Sequence, residues 1–87
     1  MTTDAKQPFS PLEHLTQRIP DPDAYVVTIR GKPLKQEFRR LVASTLEGDE
    51  LWEWEWFGTV GVRNAYSMGW CAVRNGTLVA SYCHSQG

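Results

Sequence analysis

Leu51-Trp52-Glu53-Trp54-Glu55-Trp56-Phe57 alternates large apolar and acidic side chains without a break. A two-residue period is the repeat of a β-strand, whose side chains project in turn to the two sides of a sheet. Trp52, Trp54 and Trp56 therefore share one side, and Glu53 and Glu55 the other. The tryptophan side is expected to be the buried one, with the glutamates in water. Three indoles in a row exceed what one main helix and one short helix cover, so at least one should stay partly exposed and available to a partner.

Downstream, Gly58 to Ser67 holds two glycines and Asn64 and reads as a mobile loop. Met68 to Tyr82 reads as a hairpin, because Asn75-Gly76 supplies the positive φ angles that a two-residue type I′ turn demands. That turn sets Val73 opposite Leu78, Ala72 opposite Val79 and Cys71 opposite Ala80. Opposed residues share a side. Gly69, Cys71, Val73, Leu78, Ala80 and Tyr82 then face the core, and Trp70, Ala72, Arg74, Thr77, Val79, Ser81 and Cys83 face away. Cys71 and Cys83 point apart on this register and stay free thiols.

Upstream, Leu34, Phe38, Leu41, Val42, Thr45 and Leu46 recur at helical spacing, and Gly48 can end that helix. It is the main core helix of the expected fold. Ala24 to Arg30 (AYVVTIR) is rich in β-branched residues and reads as a strand. Ser10-Pro11-Leu12-Glu13 has the form of a capping box with proline at the first helical position. Leu12, Leu15 and Ile19 give a short stripe that Pro20 and Pro22 stop. Residues 1–9 read as a flexible arm, 10–84 as one domain and 85–87 as a tail. The expected class is α+β, in the order α-β-α-β-β-β, with an antiparallel sheet of three to four strands packed on one main helix.

The chain of 87 residues is enough for a single domain, and its four Trp, three Tyr and three Phe are much of the available core. So small a domain can hardly spare packing for a deep substrate cavity. A net charge of −1 is not that of a nucleic-acid binder. No apolar run approaches the ~20 residues of a bilayer span, and the N-terminus has no signal-peptide core, so a cytoplasmic, membrane-free protein is expected. Two cysteines are too few for a disulfide scaffold.

Catalytic constellations are weak. His14 and His84 lie far apart, Cys83-His84 adjacency does not aim a base at a thiol, and no CxxC or HxxxH spacing proposes a metal. Gly58-Thr59-Val60-Gly61 lacks the lysine of a phosphate loop. No catalytic residue, cofactor or metal is assigned. Two charged stretches remain: the acidic Glu47, Asp49, Glu50, Glu53 and Glu55, and the basic Arg30, Lys32, Lys35, Arg39 and Arg40. The sequence reads as a non-enzymatic protein–protein interaction module of bacterial or phage type, a monomer or weak homodimer. The class includes inhibitors or regulators of a larger complex, anti-defence proteins among them. Its partner-binding residues would be Glu50, Glu53, Glu55, Trp56, Arg63, Asn64, Tyr66 and Trp70, facing a protein partner of basic character. The alternative is a small nucleic-acid or ligand binder that uses exposed Trp as a stacking platform.

Overall fold

The computed structural model describes residues 9–87; residues 1–8 of the expected arm lie outside them, and Phe9, its last residue, packs against Trp54 and Trp56. A 3-10 turn, Pro11–His14, leads into β1 (Leu15–Arg18), followed by α1 (Pro22–Val26), α2 (Lys32–Ala43), β2 (Glu50–Val60), β3 (Arg63–Arg74) and β4 (Thr77–Gln86). The four strands form one antiparallel sheet in sequence order, β1-β2-β3-β4. The α+β class holds. The central strand and the main helix stand where their periodicities put them.

The segment before α2 differs. Residues 10–19 do not make one helix. Ser10 forms no side-chain cap, Glu13 N–H bonds Ser10 C=O at 3.0 Å, and Leu15 is already extended as the first residue of β1. Residues 24–30 are not a strand either. Asp21 accepts a hydrogen bond from Ala24 N–H at 3.2 Å, Pro22 occupies the first turn and Asp23 adds an acid there. Pro20-Asp21-Pro22-Asp23 thus starts a helix. A proline at the first helical position has no N–H to lose, and carboxylates favour a helix N-terminus. Tyr25, Val26 and Ile29 then meet the core at helical, not strand, spacing.

Gly58–Ser67 is not a loose loop. β2 and β3 continue in register to Val60 opposite Arg63, closed by Gly61-Val62. Gly61 has φ of 65°, which suits the first central position of a II′ hairpin turn. The Asn75-Gly76 turn forms as expected, but the register holds only through Arg74–Thr77 and Val73–Leu78. A bulge at Val79 then sets Ala72 opposite Ala80 and Cys71 opposite Ser81, and a second accommodates His84. Ala80 and Tyr82 consequently share a side with Ala72 and Trp70. Cys71 and Cys83 share the other side and remain free thiols.

Both sides of the sheet carry a core. Ile19, Val26, Phe38, Leu41, Leu51, Trp70 and Ala72 are buried together beneath α1 and α2, with Tyr25, Ala80 and Tyr82 against them. On the opposite side Trp54, Cys71 and Val73 are buried under Phe9, Leu12 and Leu15. The tryptophan stripe therefore faces the N-terminal segment, whereas Glu53 and Glu55 lie on the helix side, the reverse of the expectation. Trp54 Nε1–H donates to Trp70 C=O at 3.1 Å, so the buried indole keeps a partner. Gly69 makes room for this core: a Cβ there would strike the Tyr82 carbonyl, the Cys83 Cα and the Trp54 ring. Arg74 grips Asp49 through Nε and a terminal nitrogen, at 2.7 and 2.8 Å, tying the hairpin turn to the loop after α2.

Candidate functional site

The helix layer stops short of the sheet's far end. β1 pairs only as far along β2 as Trp54, and α1 and α2 pack over Leu51, Trp70 and Ala72. β4 ends at Gln86, and Gly87 exchanges two hydrogen bonds with Tyr66, at 2.9 and 3.0 Å. Beyond that point β2 and β3 form a two-stranded arm. Pleating places Phe57 and Tyr66 on the helix side at its base, with Glu55 and Met68 next to them where β4 still pairs with β3. The Phe57 and Tyr66 rings lie 6.4 Å apart, and Phe57 is 67% exposed. Val62 is fully exposed at the turn, and Val60 is exposed on the opposite side of the arm, the side of Trp56.

At the foot of the arm is a cleft of about 230 Å³, lined by Tyr25, Glu53, Trp54, Glu55, Met68 and His84. A short polar chain runs from buried Trp70 to two of its lining residues, Tyr25 and Glu53. Trp70 Nε1–H donates to Tyr25 Oη at 2.9 Å, and the Tyr25 hydroxyl donates to Glu53 Oε2 at 2.7 Å. Burial, followed by the Glu53 hydrogen bond, pushes the Tyr25 phenol up to about 12, so it remains a donor through the neutral range. His84 sits 4.7 Å from the Trp70 ring, with Nδ1 2.8 Å from Ser85 Oγ. Burial holds it below its ordinary value, against the pull of Glu53. Among the described residues the ion pairs are Glu37–Arg40 and Asp49–Arg74, so neither Glu53 nor Glu55 has a cationic partner. The cleft is acidic, and a neutral imidazole does not offset it.

The residues expected to bind a partner divide between the two sides. Glu53, Glu55, Tyr66 and Trp70 are on the helix side, Trp70 buried as core. Asn64 and Arg63 are exposed at the arm's end. Glu50 and Trp56 are on the opposite side: Glu50 accepts from Trp52 Nε1–H at 3.0 Å, and Trp56 stacks on Phe9 at 4.9 Å. The acidic run is thus dispersed into separate tasks. Asp49 is held down to about 2 by Arg74, and Glu53 is tied to Tyr25. Of the basic stretch, Arg40 pairs with Glu37 at 3.1 Å. Arg39 edges a smaller groove of about 170 Å³ between α1 and α2.

Tyr25, Phe57, Met68 and His84 are not among the residues that the sequence singles out, and Val60 and Val62 fall within the expected Gly58–Ser67 loop. The signal for Phe57 and Val60 was present, because the apolar run continues past the glutamates to a glycine turn. Tyr25 and His84 had none, since only the α1 start and the β4 bulge bring them to the cleft. His14 packs edge-on to Phe9, on the opposite side from His84. The Cys71 thiol is buried and pushed up to about 11 by that burial. Among the described residues no three of His, Cys, Asp and Glu gather as a metal site, and no helix is long and apolar enough to cross a membrane. No family, curated protein or solved structure matches this chain.

Proposed function

We propose that the domain is a protein-interaction module that docks a partner on the helix side of the β2–β3 arm. A basic side chain of that partner enters the cleft between Glu53 and Glu55. The carrying observation is the junction of two features: an exposed Phe57–Tyr66 pair and, adjoining it, the half-buried carboxylates of Glu53 and Glu55 with no cation beside them among the described residues. Aromatic residues are enriched at interface centres, and charge complementarity sets partner choice and association rate. Met68, in the cleft lining, is a flexible side chain that can adapt to an incoming one. A domain presenting one such surface acts by occupying a site on a larger partner, as an inhibitor or regulator does.

The test is capture of a partner by the immobilised chain, comparing wild type with Glu55→Lys and Phe57→Ser. Glu53 is a poor choice for reversal, because its carboxylate holds Tyr25. Both variants should lose the partner and keep the fold, with wild-type capture weakening as salt rises. Lys35→Glu with Arg39→Glu, on α2, should capture normally. Loss of capture in that control alone would transfer the binding surface to α2.

A further inference from the structure

The sheet ends in two unlike edges. β1 has four residues, a bulge after Leu15, a charge at Arg18 and Pro20 two residues beyond it. Shortness, bulging, charge and proline each keep an edge strand from pairing with another chain. β4 has ten residues, none of them Asp, Glu, Lys, Arg or Pro. It is the last strand of the sheet, and among the described residues no backbone group outside β3 bonds to it. Bonded pairs alternate along an antiparallel ladder. Because Tyr66 and Gly87 exchange both bonds, the even-numbered residues of β3 turn toward β4 and Cys71 turns toward β2. Ser81, opposite Cys71, therefore presents its N–H and C=O outward, and its side chain is exposed. Two bulges flank it, leaving residues 80–83 as a regular, uncharged run.

We infer that β4 pairs antiparallel with β4 of a second copy of this chain, about a two-fold axis at Ser81. Opposed residues in such a pair must share a side of the sheet, so the axis passes through a residue rather than between two. Ser81 is the outward-bonding residue nearest the middle of the strand, and two copies of it can exchange both hydrogen bonds. A second copy suits this edge for two reasons. The strand is uncharged, so it meets itself without repulsion. An isologous pair also hides both unguarded edges together and leaves a doubled sheet bounded on each side by β1. The surface is separate from the arm, so the two readings stand or fall independently.

Sedimentation equilibrium of the full chain tests the pairing, with circular dichroism to establish that each variant is folded. Wild type should self-associate to a dimer, and the amide of Ser81 should exchange more slowly as concentration rises. Ser81→Lys places like charges across the axis, and Ser81→Pro removes an outward donor without touching the β3 ladder. Each should weaken the dimer at least tenfold, equivalent to about 1.4 kcal/mol, whereas Phe57→Ser on the arm should leave it unchanged. A wild-type chain that stays monomeric to about 1 mM, where binding would be weaker than about 4 kcal/mol, overturns the inference. So does a dimer indifferent to both Ser81 variants or abolished by Phe57→Ser.

Discussion

Trp54 and Phe57 stand three residues apart on one strand, yet Trp54 is 0% exposed and Phe57 67%. Around Trp54 the sheet is covered twice, by α1 and α2 on one side and by Phe9, Leu12 and Leu15 on the other. Around Phe57 the strands pair just as regularly, but the helices do not reach. A strand's hydrogen bonds and a strand's burial are thus separate matters. The first comes from its neighbours in the sheet, and the second from whatever the rest of the chain lays over it. The covered half holds the fold, and the bare half is free to hold something else.

The largest effects should come from the covered half and should be equal on its two sides. Trp70→Ala and Trp54→Ala should each cost about 3–5 kcal/mol in chemical denaturation, because each empties a large buried site. If Trp54→Ala were mild, the N-terminal segment would be an incidental cover and the sheet one-sided. Gly69→Ala comes next, at about 1–3 kcal/mol, since its methyl would meet backbone on β4 as well as the Trp54 ring. Gly58→Ala is its counterpart toward the arm, where the nearest atoms to the new methyl all belong to the Trp56 ring. That ring can swing, so a cost as large as at Gly69 would mean the arm is packed as tightly as the body.

Tyr25→Phe should cost about 1–3 kcal/mol, because it strands Trp70 Nε1–H and removes the donor to Glu53. It should also change the response to alkali. Unfolded Tyr25 ionises near 10 and folded Tyr25 near 12, so wild-type stability falls as pH rises between them, and the variant should lose that part of the slope. His84 gives the opposite arm. Its folded value lies below 6.5, so acidification through that value protonates the unfolded chain first and lowers stability. A His84→Gln variant should respond less to acid over that interval. The smallest effect on stability belongs to Phe57→Ala, within about 0.5 kcal/mol, although partner capture should be lost. A stability cost matching that of the tryptophans would end the distinction between the two halves.

The candidate site was half legible. The sequence singles out Glu53, Glu55, Arg63, Asn64 and Tyr66, and all five belong to the arm or its cleft. Phe57 was read only as the end of a strand. Two glycines and Asn64 make residues 58–67, Val60 and Val62 among them, read as a loop, whereas one glycine suffices for a two-residue turn that prolongs the hairpin. Glu53 had been expected in water. Its hydrogen bond to Tyr25 depends on α1, whose β-branched composition reads as a strand. There, β-branched composition outweighed Asp21-Pro22-Asp23, although the cap, the N1 proline and the first-turn acid each favour a helix start.

By itself the sequence determined what is local: the two-residue period of β2, the helical period of α2, the Asn75-Gly76 turn. These follow from backbone geometry and from the few conformations open to each residue, which neighbours along the chain are enough to select. The tertiary structure decided which side of β2 the helices would cover, because alternation names two sides without ranking them. Here both sides found a cover, and the indoles took the N-terminal one. It also decided the Val79 bulge, which one extra residue on β4 creates. With side chains alternating at a period of two, that single residue moved Ala80 and Tyr82 to the helix side and brought Cys83 round to the side of Cys71.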